Sequence, residues 1–238
     1  MLSQNFFFTL LLAAPAIAAP TGWNWPNPQN WRAPHTARSP QATTAADPVL
    51  PVQTPNSLPI LSPTATLKVI ALGVGSQNYT CKDTPNSNTS APVSVGARAD
   101  LYDVTDLFRN NPSLEDSETR AALVSNSGLG NNRIGQHFFT NVGSTLTPTF
   151  DLDAHDPPLF LSAVKSNTET APKVAFQGLS SEGAIAWLFL GSDNSGLSQG
   201  VNGVYRVETA GGMQPATCAD KSGDFQVPYS AEYWFYQS

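Results

Sequence analysis

The sequence predicts an all-β domain, a single antiparallel sandwich or barrel, standing behind a disordered Pro- and Thr-rich stalk. Three observations predict it. Short runs rich in Val, Phe, Tyr and Thr recur from about residue 65 to the C-terminus, and most are bounded by Gly, Pro, Asn or Asp. Some of these runs alternate cleanly: in "VYRVETA", Val204, Arg206 and Glu208 share one face, and Tyr205, Val207 and Thr209 the other. Finally, ten of the 20 prolines fall within residues 20–64, a segment too poor in apolar residues to offset its ordering entropy.

The chain opens with an apolar run, Phe6–Leu12, followed by the small residues Ala16 and Ala18 at the spacing of a signal-peptidase site. Residues 1–18 therefore read as a signal peptide and the mature chain as secreted and extracellular. The run is too short to span a bilayer, and no later stretch is long enough to do so. Residues 19–64 read as the extended stalk. Trp23, Trp25 and Trp31 lie near its start, either to pack back on the domain or to stack on a sugar or a partner. Residues 65–238 are long enough to bury one sizeable core.

Within that domain "TLKVIAL" and "QNYTC" read as two strands joined or kinked at Gly73 and Gly75. The strand signals continue with "VSVGARADLYDV", "AALVSN", "IGQHFFT", "TPTFDL", "LFLSAV" and "KVAFQ". "AIAWLFLG", "GVYRVETA" and "SAEYWFY" complete them. "AIAWLFLG" does not alternate and suggests a strand covered on both faces. The only plausible helix is short, around "DVTDLFRN" or "SLEDSETRAALV".

Several function classes fall away. Net charge is −6, and residues 20–64 hold only Arg32, Arg38 and Asp47, so the acidity belongs to the domain. An acidic surface without a basic stripe speaks against nucleic acid and anionic membranes as partners. The stretch "VIALGVGSQNYTC" enters a Gly-x-Gly as a dinucleotide site would. Its third fingerprint position is Asn78, though, and β-formers then turn residues follow where a phosphate-binding helix should begin. No cofactor is implied. The nucleophile elbow G-x-S-x-G and the zinc motif H-E-x-x-H are both absent. A mature N-terminus at Ala19 or Pro20 also lacks the histidine of a secreted copper monooxygenase.

What chemistry remains is sparse. "DLDAHD" gathers Asp151, Asp153, His155 and Asp156, but it lacks the Gly and the final Glu of a calcium loop, so it reads as a solvated acidic loop and no metal is assigned. His137, Asp151 and Asp153 are the candidate catalytic residues. Arg206 is the candidate buried charge, to be paired with Glu208 or Glu232. Tyr229, Tyr233, Trp234 and Tyr236 are aromatic enough to stack on sugar, with Trp234 and Tyr236 as the candidate ligand-binding pair; alternation sends at least one pair of this strand into the core. Cys81 and Cys218 are the only cysteines, and an even count in an oxidising compartment suggests one disulfide, two buried thiols being the alternative. Sequons stand at Asn88 and Asn78; the first lies in a polar loop, and the second is usable only if its side chain points outward.

Taken in order, "ALGVGSQNYTC", "GARADLYDVT", "IGQHFF", "TPTFDL", "AIAWLFLGS", "GVYRVETAGGMQPATC" and "VPYSAEYWFY" resemble a family of secreted fungal and bacterial proteins, domain of unknown function 3455. The resemblance covers about residues 66–236. It implies a β-rich secreted domain with Cys81 paired to Cys218, and it carries over no catalytic residue. Fungal members often bear a malate dehydrogenase label, which the missing nucleotide fingerprint does not support here. The expected function is a non-catalytic extracellular or cell-wall-associated module, whose partner would be a wall polysaccharide or a surface protein. The alternative is an extracellular hydrolase or lyase acting on carbohydrate or ester.

Overall fold

Eight antiparallel strands close into one barrel in which each strand pairs with its sequence neighbour and the last with the first. The computed structural model describes residues 46–52, 56–125, 129 and 131–238. The strands are β1 (Thr66–Thr80), β2 (Val93–Asp103), β3 (Arg133–Val142), β4 (Thr145–Leu152), β5 (Leu159–Glu169), β6 (Trp187–Ser192), β7 (Gly203–Gly211) and β8 (Asp224–Gln237). Helices α1 (Thr105–Asn110) and α2 (Glu115–Ser125) lie between β2 and β3. Of the two architectures expected, the closed barrel is the one formed.

Alternation along each strand builds two separate cores. Inward residues such as Val69, Leu101, Phe150, Leu161, Val204 and Phe235 fill the lumen. Outward residues Ile70, Leu72, Tyr205, Val207 and Trp234 form a second cluster with Phe108 of α1, Ala122 of α2 and Leu58. "AIAWLFLG" fails to alternate because its strand serves both cores: Leu190 and Leu188 face the first, Trp187 and Phe189 the second.

Four sequence expectations change. The "TLKVIAL" and "QNYTC" runs are one strand, and the glycines between them answer to barrel packing. A Cβ at Gly75 would run into the Arg98 carbonyl, and one at Gly73 would stand 2.5 Å from Cε2 of Tyr233. Both helical alternatives form, and "AALVSN", read as a strand, supplies the end of α2, where Ala122 and Leu123 are buried. "KVAFQ" has strand composition but forms a turn and irregular chain in the β5–β6 connection.

The fourth concerns the stalk. Its first part lies outside the described residues, but its last part packs on the barrel. Leu50, Val52, Leu58 and Leu61 join the outer cluster. Ser57 bonds Glu169 and the Thr168 carbonyl, the Tyr205 hydroxyl donates to the Pro59 carbonyl at 2.8 Å, and Asp47 pairs with Arg109 at 2.7 Å. Apolar residues spaced among the prolines let an extended chain bury one side without regular structure.

Cys81 and Cys218 form a disulfide across 137 positions. It ties the β1–β2 loop to the β7–β8 loop, alongside backbone bonds from Asn86 to Lys221 and from Cys218 to Ser90. Among the described residues no helix is long and apolar enough to cross a membrane.

Candidate functional site

One half of the lumen is filled and the other is hollow. On β8 the inward series runs Phe235, Tyr233, Ala231; on β7 it runs Val204, Arg206. Phe235 and Val204 sit at the packed level. One step further, Tyr233, Phe150 and His137 form a floor, and beyond it opens a cavity of about 900 Å³. Its wall is largely apolar, from Ala97, Phe139, Leu146, Ala163, Ile185 and Leu188. An eight-stranded barrel is just wide enough to be filled by side chains or to hold one small ligand, and large aromatic residues at one level with the small Ala97 and Ala163 on the cavity wall produce both conditions in one barrel.

Polar groups converge on this floor. Arg206 stands directly opposite Tyr233 in the β7–β8 ladder. Its Nε and Nη2 both donate to the Ala186 carbonyl, at 3.2 and 2.8 Å. The expected ion pair with Glu208 or Glu232 does not form. The ion pairs among the described residues are Lys82–Asp224, Arg109 with Asp47 and Asp106, and Arg133–Asp100. The physical reason is alternation: Glu232 faces the outer cluster, where it accepts from Trp234 Nε1 at 2.8 Å. Glu208 lies where a bulge between Val207 and Ala210 breaks the register.

His137 is buried and stacks on Phe150 with centroids 4.2 Å apart. Its Nδ1 lies 3.0 Å from the Thr149 carbonyl. A carbonyl only accepts, so Nδ1 carries the proton and Nε2 keeps a lone pair. Burial pulls the pKa of this imidazole down to about 4, and the positive charge of Arg206 pushes the same way. The Tyr229 and Tyr233 hydroxyls are 2.8 Å apart, and burial raises both pKa values. Gln77, 8 % exposed, faces the Tyr229 hydroxyl, yet its Nε2 meets no acceptor in hydrogen-bond geometry. Tyr79 is tied off by its bond to the Gly212 carbonyl at 2.7 Å.

The other expected site residues lie elsewhere. Asp151 pairs in register with Gln136 on the outer face, beside Asp100 and Arg133. Burial and then Asp153 raise its pKa. Asp153 is exposed in the following turn. The sheet thus lies between His137 and Asp151, and Asp153 sits outside the strand in the turn. His155 donates from Nδ1 to the Pro157 carbonyl at 2.7 Å, and among the described residues no three His, Cys, Asp or Glu side chains converge on a metal position. Trp234 and Tyr236 lie buried in the outer cluster, and Tyr229 and Tyr233 in the lumen, so β8 sends both of its aromatic pairs into a core. Asn88 is exposed in the β1–β2 loop, and Asn78 alternates outward from Gln77 and Tyr79.

Sequence reasoning missed Gln77 and Lys165 as cavity-lining residues, and it named Tyr229 and Tyr233 only as a stacking surface or core. The signal existed for β1, where the inward series Val69, Ala71, Gly73, Gly75, Gln77, Tyr79 is unbroken, but it was hidden by reading the glycines as a break.

One family description matches the chain, protein of unknown function (DUF3455), over residues 62–237. No curated protein and no solved structure matches it.

Proposed function

The chain belongs to the DUF3455 family of proteins of unknown function, and from that premise we propose that it is a secreted, non-catalytic binding module that encloses one small molecule in its barrel lumen. The observation that carries this reading is the half-empty lumen. Its volume of about 900 Å³ falls within the range of about 300–1,000 Å³ usual for small-molecule pockets, and its lining sets an apolar wall beside polar side chains. The disulfide and the signal-like N-terminus support an extracellular setting.

Binding is better supported than catalysis. A buried imidazole with a pKa near 4 is a weak general base at neutral pH, and phenols pushed upward are poor nucleophiles. A hydrolase or lyase would also want a carboxylate beside His137, whereas Asp151 lies on the outer face of the sheet and Asp153 is exposed in the turn after β4. A cavity inside the barrel favours a small molecule over a wall polysaccharide, and the burial of Trp234 and Tyr236 removes the stacking face that would have favoured a polymer.

The test is a thermal-shift screen of diverse small molecules on the full mature chain, with Ala97→Trp as a lumen-plugged control. Compounds that stabilise the wild type and leave the plugged variant unmoved are the expected result. If every stabilising compound acts equally on both, the lumen is not the site. Turnover of any hit would favour the hydrolase or lyase reading instead.

A further inference from the structure

Deepening the lumen reading, on which it rests, we propose that the lumen selects organic monocarboxylates, with the carboxylate held at Arg206 and Gln77 on the floor and the apolar body lying along the wall toward the mouth.

Among the described residues the floor holds a guanidinium with no carboxylate partner and a buried amide with no acceptor in hydrogen-bond geometry. Arg206 spends Nε and Nη2 on the Ala186 carbonyl and also bonds the Tyr233 hydroxyl, and it makes no ion pair with a carboxylate among the described residues. Gln77 Nε2 is a second donor, more than nine-tenths buried and without an acceptor. Leaving a buried donor such as the Gln77 amide unmade is costly, and the half-buried Arg206 brings a full charge to the same cavity. An anionic group at this level would meet both.

The other charged groups facing the cavity agree. Lys165 lines it near the mouth and makes no ion pair among the described residues. Asp193 is the one carboxylate on the lining, and it is engaged by Ser162 Oγ at 2.6 Å and by the amide and hydroxyl of Ser195. The cavity is thus net cationic in a chain of net charge −6. With its pKa lowered to about 4 by burial, His137 adds no charge at neutral pH, so a phosphate or dianion would carry more charge than the cavity matches. A single carboxylate is matched by one guanidinium edge and one amide. Beside Arg206 the wall continues as Leu188, Ile185, Phe139 and Leu146, which calls for an apolar body.

Isothermal titration of the mature chain with octanoate, octan-1-ol and octylammonium tests this. Octanoate is expected to bind about tenfold or more tighter than the alcohol, and octylammonium not measurably, as loss of one charge-assisted pair predicts. Arg206→Gln should bring octanoate down to the alcohol's affinity, and Arg206→Lys should retain a preference for the acid. Should Arg206→Gln fail to fold, Gln77→Leu gives a second reading: octanoate weakens while octan-1-ol does not. Equal binding of acid and alcohol, or a preference untouched by Arg206→Gln, overturns the carboxylate inference and leaves the lumen as a binding site. If none of the three probes binds, the carboxylate inference falls, and the thermal-shift screen with the plugged control then judges the lumen separately.

Discussion

The ring of Tyr233 occupies the space that a side chain at residue 73 would need, with Cε2 only 2.5 Å from where a Cβ would stand. The Gly-x-Gly of β1 is therefore a device of barrel construction. One glycine admits a floor residue of the cavity, and the other lets the β2 backbone come close at Arg98.

Gly75→Ala is expected to destabilise more than Gly73→Ala, because backbone cannot yield as a ring can. Overpacking costs typically about 1–3 kcal/mol, and Gly75→Ala should reach or exceed the upper end. Urea unfolding of both variants checks the order, and a nucleotide-site role would predict no such order.

Reduction of Cys81–Cys218 should lower stability substantially. In the chain-entropy account a bridge closing a loop of this length contributes about 4–5 kcal/mol. Cys81→Ser and Cys218→Ser should each lower the melting temperature, and a reductant should then have no further effect. An unchanged melting point in the variants would mean that the backbone bonds between the two loops suffice.

The buried imidazole makes stability depend on pH in a defined window. His137 titrates at about 4 in the folded chain against 6.5 ordinarily, so the unfolded chain binds the extra proton as pH falls below 6.5. Stability is therefore lost from about pH 6.5 down to about 4, by on the order of 3 kcal/mol from this group. His137→Phe keeps the stack on Phe150 and should flatten that part of the curve. An unaltered slope in denaturant titrations at pH 4 to 7 would rule His137 out as its source.

Residues 46–65 should behave as part of the folded unit. Leu58 is buried, and Leu58→Ala should cost about 2–4 kcal/mol. A chain beginning at residue 65 also loses the Tyr205–Pro59 and Ser57–Glu169 bonds. It should unfold at lower urea than one beginning at residue 46. Identical midpoints would mean that the segment is ornamental.

How far the sequence could be read differs by level. The all-β class was legible because period-two alternation is strong in "VYRVETA" and in β8, and β7 sent Arg206 and Tyr205 to opposite faces as its pattern required. The cysteine pair was legible from count and compartment. Closure was not, since nothing in β1 or β8 alone says that they meet. Nor was the site: Gln77, Tyr233 and Arg206 lie far apart along the chain, and only the ring of strands turns their inward positions into one floor. The stalk misled for a related reason. Proline density reports weak regular structure, and the burial of Leu58 against Trp234 and Tyr205 needs no regular structure.

The seam between β1 and β8, which runs from Thr66 opposite Gln237 to Thr80 opposite Asp224, also governs how the molecule is made. Strand β1 finds one of its two partners only when β8 has been delivered. Until then both seam edges carry unpaired amides and carbonyls, a template for sticking to other chains. Synthesis is thus a period of exposure that ends all at once. A chain cut short by even part of β8 keeps an open seam, and such truncations should accumulate in aggregates rather than as weakened but soluble protein.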